Sequence, residues 1–223
     1  KTLSDKFQPD NKGENISEKN STYCELTAIY WAWKNLNVDR MGVAHYRRHF
    51  TMFKGAKTVD KALTGEQFEE LFQKNGKDSI FATPARRYVE SIENHYIHSL
   101  KGYEDIHAKD IERLKKAIHE YDSSYDESAK KVLGGNSAHM LNMLISSKEN
   151  FDTYCAWLFP VIDKVVALSA DREDQRRYAG ALSEFCLDIW AQRNSKKIVE
   201  LALLETEKPT FFNRLLGYIK RKI

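Results

Sequence analysis

Residues 22–49, TYCELTAIYWAWKNLNVDRMGVAHYRRH, decide the reading of the fold. Tyr23, Leu26, Tyr30 and Trp33 recur at helical spacing, and Ile29 and Leu36 broaden the apolar stripe. Thr22 and Glu25 form a capping-box pattern ahead of it, so the spacing predicts one helix from about Thr22 to Leu36. Asn37-Val38-Asp39 breaks that helix, and Met41-Gly42-Val43-Ala44 then has the make-up of a buried strand. His45-Tyr46-Arg47-Arg48-His49 follows at once, at the strand end where open α/β sheets place their ligands.

Outward from this stretch, strands and helices alternate. Residues 64–73 read as a helix with Phe68, Leu71 and Phe72 on one side, and Ser79-Ile80-Phe81-Ala82 as a strand stopped by Pro84 and followed by Arg86-Arg87. Residues 106–121 form a charged amphipathic helix, Gly134-Gly135-Asn136 a turn, and 139–145 another strand. Helices are predicted over 148–168, kinked at Pro160, and over 173–192. Residues 1–20 read as loop. The alternation implies an α/β layered fold in one domain, residues 1–209. After Pro209, residues 210–223 place Phe211, Phe212, Leu215, Leu216 and Ile219 on one helical face beside Arg214, Lys220, Arg221 and Lys222. That is the composition of an interfacial helix on anionic lipid, or of a terminal helix packed on protein.

The composition, 42% hydrophobic and 30% charged, is that of an ordinary folded chain, and no apolar run approaches the roughly 18 residues of a membrane span. Cys24, Cys155 and Cys186 are widely spaced within apolar patterns, which argues against disulfides and a zinc site and for a reducing, cytoplasmic setting. A net charge of +3 with acidic residues interspersed gives no basic stripe for nucleic acid.

The chemistry concentrates after the first strand. Arginine offers a planar fork of donors suited to phosphate oxygens, and in extended chain His45, Arg47 and His49 would face opposite to Tyr46 and Arg48. The competing reading pairs Arg47 and Arg48 with carboxylates such as Glu25 or Glu184 and makes His45 a satisfied core residue. Trp31 and Trp33 lie on different helix faces, one for the core and one free to stack on a sugar or base.

Three ordered blocks carry a resemblance: Gly13-Glu14-Asn15-Ile16-Ser17-Glu18-Lys19-Asn20, the run from Tyr23 to Asn35, and His45-Tyr46-Arg47-Arg48-His49-Phe50. Together they resemble a bacterial family described both as a domain of unknown function (DUF4422-like) and as capsular or exopolysaccharide glycosyltransferases. Its hallmark is NISxKNxxYCELTxxYWxWKN followed by HYRRxF. Asn94-His95-Tyr96, His139 to Met143, and Ser183-Glu184 with Leu187 to Trp190 look like later blocks of the same family.

The resemblance implies a GT-A-like, Rossmann-related nucleotide-sugar transferase fold with a helical C-terminal part. Members usually begin with a short apolar strand that residues 1–20 do not supply, so the sheet is expected to lack it. The implied activity moves a hexosyl residue, galactosyl in pyranose or furanose form being favoured, from a UDP-sugar to a lipid-linked or growing surface polysaccharide. Such work belongs in the cytoplasm at the inner membrane face. Donor residues would be His45, Tyr46, Arg47, Arg48, Asn15, Ser17 and Asn20; acceptor residues His95, His139 and Asn142. Glu184 is the first candidate base and Glu25, otherwise a capping residue, the second. The strand end lacks the Asp-x-Asp pair that usually holds a divalent metal in this architecture, so no cofactor is expected and cationic side chains would take the metal's place. The alternative function is a noncatalytic carbohydrate- or nucleotide-binding module.

Overall fold

A computed structural model describes residues 7–206. The segment 210–223, with its amphipathic pattern, lies outside them. Helix α1 (Asn20–Tyr23) and helix α2 (Leu26–Asn35) lead into strands β1 (Arg40–Val43) and β2 (Arg48–Thr51). Helix α3 (Gly65–Asn75), strands β3 (Ile80–Ala82) and β4 (Arg86–Arg87), and helices α4 (Ile92–Ile97), α5 (Glu104–Asp122) and α6 (Asp126–Gly134) follow. Strands β5 (Ser137–Ala138) and β6 (Leu144–Ser147), helices α7 (Lys148–Ala167), α8 (Tyr178–Ser183) and α9 (Cys186–Arg193), and strands β7 (Ile198–Glu200) and β8 (Ala202–Glu205) complete the order.

The main sheet has the order β1-β6-β3-β7, in which β6 is antiparallel to both neighbours and β3 and β7 are parallel. Ribbons β2-β8 and β4-β5 stand beside it. One face of the sheet packs on the helical layer, where Leu26, Ile118, Phe151, Leu158 and Ile162 are fully buried; Phe72, Phe81, Met143 and Ile145 fill the other face under α3 and the β2-β8 ribbon. The α/β reading therefore holds.

Several element boundaries differ from expectation for local reasons. The helix over 22–36 is broken at Cys24, whose φ of 53° and ψ of −128° turn its carbonyl out of the helical line. That carbonyl accepts from Asn20 Nδ2 at 3.0 Å, Thr27 Oγ1 at 3.1 Å and Thr27 N at 3.2 Å, bonds that hold a conformation costing about 1–3 kcal/mol. Glu25 consequently makes no capping bond. The strand over 139–145 starts only at Leu144, because Leu141 and Asn142 adopt positive φ of 83° and 52°. The helix over 173–192 starts at Tyr178 after a left-handed Arg177 and is interrupted at Glu184-Phe185. Helices α4 and α6 and strands β2, β4, β5, β7 and β8 were not expected.

Residues 169–177 form a loop pinned from below. Asp110, fully buried on α5, accepts from Arg172 Nε at 3.1 Å and from Tyr96 Oη at 3.1 Å, and lies 3.4 Å from Arg113 Nη1. Asp110→Ala strands the 6% exposed Arg172 guanidinium without its carboxylate. The expected loss is about 3–5 kcal/mol, read as a lowered midpoint in urea unfolding.

Candidate active site

Val43, Leu144, Ala82 and Glu200 lie side by side across the sheet, so the carboxyl ends of β1, β3 and β7 meet the start of β6 along one edge. Beyond it project the turn 44–47, the segment 83–87, and the loop 139–143. The α8–α9 junction and the start of α2 close the edge from the helical side.

Glu25, Asn142 and Glu184 meet here. Asn142, 6% exposed, donates through Nδ2 to Glu25 Oε1 at 2.9 Å and Ser183 Oγ at 2.9 Å, with Gly180 O at 3.3 Å. Glu184 Oε2 accepts from Leu141 N at 3.1 Å, and one helical turn later Asp188 Oδ2 accepts from His139 N at 2.7 Å. Two carboxylates thus clamp one loop, and the break at Cys24 aims a third at the same place. Burial raises the Glu184 carboxyl above the usual glutamate value; the Leu141 N–H opposes this, the Glu25 charge adds to it, and Arg86 and Arg48 oppose it again.

His139 Nδ1 bonds Asp188 Oδ1 at 2.6 Å, and its Nε2 lies 3.6 Å from Glu200 Oε1. Burial alone would lower this imidazole, but the bond to and charge of Asp188, with Glu200, outweigh it and raise its pKa. For both Glu184 and His139 the folded chain holds protons more tightly than the unfolded one. Their contribution to stability is therefore complete below the unfolded values and is lost as pH rises through the folded ones.

His45 to Arg48 form a tight turn rather than extended strand: Arg48 N donates to His45 O at 3.0 Å and Arg47 N to His45 Nδ1 at 3.3 Å. The expected alternation of side chains does not apply. Instead the His45 ring stacks on the 74% exposed Tyr46 at 4.4 Å, and the Arg47 guanidinium lies over the same Tyr46 at 4.7 Å. Arg48 faces Glu205 at 3.5 Å rather than pairing with Glu25 or Glu184, and its buried Nε makes no hydrogen bond. His45 is pushed down by burial and then by Arg48, Arg47 and Arg177, with only Glu25 opposing before Arg177. The positive surroundings disfavour its protonated form.

The cations have a common origin that sequence reasoning missed. The described chain carries Arg-Arg doublets at 47–48, 86–87 and 176–177, far apart in sequence. Each doublet contributes here: the charges of Arg86 and Arg48 act on Glu184, and those of Arg48, Arg47 and Arg177 on His45. Arg177 also lines, with Asn20, Ser21, Cys24, Asp174 and Arg176, an open cleft of about 380 Å³. The repeated doublet was the available signal. Asp188 and Glu200 gave no comparable one.

The other expected residues are placed differently. Asn15 and Ser17 shape the N-terminal loop, Asn15 Oδ1 accepting from Ser17 N at 3.2 Å and Ser17 Oγ donating to Asp10 O at 2.5 Å. Asn20 holds the Cys24 carbonyl. His95 sits on α4, stacked at 3.8 Å on Tyr88. Trp33 stacks on Phe159 at 5.6 Å, and Trp31 Nε1 donates to Lys12 O at 2.6 Å. Glu25 and Glu184 are bonded to Asn142 and Leu141, and among the described residues no three His, Cys, Asp or Glu side chains converge as ligands. Asp39 lies at the far end of β1, where its carbonyl accepts from Lys148 N.

Comparison with known proteins adds three findings. The sequence profile of a family described as "Domain of unknown function (DUF4422)" matches residues 1–195. A solved structure described as "WbbM bifunctional glycosytransferase apo structure" superposes with a TM-score of 0.72 at 24% identity, over 91% of this chain and 40% of that one. The chain thus spans well under half the length of that protein, and the likeness supports the GT-A-like reading of the fold. No curated protein matches.

Proposed function

The chain belongs to the DUF4422 family, and from that premise we propose that it is a glycosyltransferase with its active centre at the carboxyl edge of the sheet. It takes a hexosyl residue, galactosyl being favoured, from a UDP-sugar and passes it to a lipid-linked or growing surface polysaccharide in the cytoplasm. Residues 1–209 act as one catalytic domain. The observation that carries this reading is the pairing of a partly buried carboxylate, Glu184, under the charges of Arg86 and Arg48, with His45 under those of Arg48, Arg47 and Arg177, while the neighbouring Glu25 is fixed by Asn142.

In an inverting transfer, the acceptor oxygen attacks the anomeric carbon while the bond from that carbon to the diphosphate breaks. The acceptor's proton passes to Glu184, which a raised pKa makes a stronger base. The leaving UDP carries its growing charge toward Arg48 and Arg177, with Arg47 beside them, where fixed guanidinium groups stabilise it without rearrangement. Asn142 and His139 orient the acceptor.

Thermal melting tests the reading. UDP at about a hundred times its Kd should add about 2.7 kcal/mol of apparent stability, and an oligonucleotide should add none. Transfer to a lipid-linked acceptor should then proceed unchanged in EDTA. A strict manganese requirement would remove the arginines from the metal's role, and UDP binding without turnover would leave a noncatalytic binding module.

A further inference from the structure

Strand β2 runs from the His45–Arg48 turn to an exposed loop, residues 52–61, that takes no part in the site described above. Its base is closed: Thr51 Oγ1 donates to Lys61 O at 2.6 Å and accepts from Phe53 N at 3.1 Å, and Leu63 N donates to Phe50 O at 2.8 Å. Its tip is a turn in which Ala56 N donates to Phe53 O at 3.2 Å and Gly55 supplies a φ of 77° at the third position. This built framework holds apolar side chains in water, with Met52 46%, Phe53 50% and Val59 63% exposed.

Lysines interleave with them. Lys54, Lys57 and Lys61 are all exposed, Asp60 is the one acid of the loop, and the Lys61 ammonium lies 5.7 Å from the Phe53 ring centroid. Apolar groups set to enter a hydrocarbon boundary, ringed by ammonium groups set to meet phosphates, are the two components of binding to an anionic lipid surface. A water-facing loop gains nothing from the first, and a nucleic-acid site would not need it. Among the described residues no helix is long and apolar enough to cross a membrane, so contact here would be peripheral.

We infer that the 52–61 loop docks the protein on anionic membrane lipid by inserting Met52, Phe53 and Val59 while Lys54, Lys57 and Lys61 contact headgroup phosphates. The inference stands whether or not the chain transfers a sugar. With the transferase reading, it acquires a purpose: β2 is four residues long, so at about 3.3 Å per residue it separates the arginine turn from the docking loop by roughly 13 Å at most, within reach of a lipid-linked acceptor.

The test is cosedimentation of the full chain with vesicles of phosphatidylglycerol and phosphatidylcholine, against phosphatidylcholine alone. The wild type should prefer the anionic vesicles. M52S/F53S/V59S should bind them at least tenfold more weakly, and K54E/K57E should lose the preference, both with unchanged melting temperature since every altered side chain is exposed. Wild-type affinity for the triple variant, absence of wild-type binding, or equal binding to neutral vesicles would overturn the inference. So would self-association that the same substitutions abolish without any vesicle binding, which would assign the loop to a second copy of the chain.

Discussion

Glu184→Gln is expected to lower the rate of sugar transfer by about 10²–10⁴, the usual contribution of a positioned general base, while leaving the fold and UDP binding in place. Glutamine keeps an oxygen for the Leu141 N–H, bonded at 3.1 Å in the native chain. Alanine would instead leave that donor without a partner, at about 1–3 kcal/mol, and confuse loss of chemistry with loss of structure. Because burial and the Glu25 charge disfavour ionised Glu184, its neutral replacement should be as stable as the wild type or more so at neutral pH. In the wild type the rate should rise with pH through a value above the ordinary glutamate range, and this limb should vanish in Glu184→Gln. Steady-state rates of UDP release measured across pH read both effects. A larger loss in Glu25→Gln than in Glu184→Gln would transfer the base's role to Glu25.

Arg48→Ala should lower kcat/KM for the UDP-sugar by about 10²–10³, the scale of removing one preorganised donor to a developing anion. Arg177→Ala should act in the same direction, and the double variant by less than the product of the two, since both face one diphosphate. Arg48→Lys should recover only part of the loss, because an ammonium lacks the paired donors of the guanidinium fork. Arg48 lies 3.5 Å from Glu205 across the β2-β8 ribbon with both side chains partly exposed, so the native pair contributes at most about 1 kcal/mol. Circular dichroism of the variant should therefore be unchanged. Unaltered kcat/KM in Arg48→Ala would remove the turn from the donor site.

Much of the frame was legible because periodicity reports burial. The Tyr23 to Ile29 part of the stripe, the short apolar run at 79–82 and the long helix after Lys148 bury what their spacing says they should, whereas of the run 41–44, expected to be buried, only Met41 is, since β1 is an edge strand of the sheet. The site was legible only in parts. Arg47 and Arg48 could be picked out as cations at a strand end, but the 45–48 turn could not, since it rests on the His45 carbonyl and ring nitrogen accepting from the next residues. Glu25 read as a cap because Thr22 stands three residues before it; a left-handed Cys24, fastened by Asn20 and Thr27, redirects it to Asn142. The meeting of arginines from positions 48, 86 and 177 is a product of long-range topology. The repeated doublet marks the arginines, but no local pattern encodes their meeting.

The most direct measurement of the central claim is a hydrogen-exchange map of the full chain with and without saturating UDP. Slowed exchange is expected at residues 45–48, 139–142 and 176–177, the segments gathered at the carboxyl edge of the sheet. Protection confined elsewhere, as in the broad groove between α5 and α6 that Lys116, Lys130 and Lys131 line, or no protection at all, would contradict it.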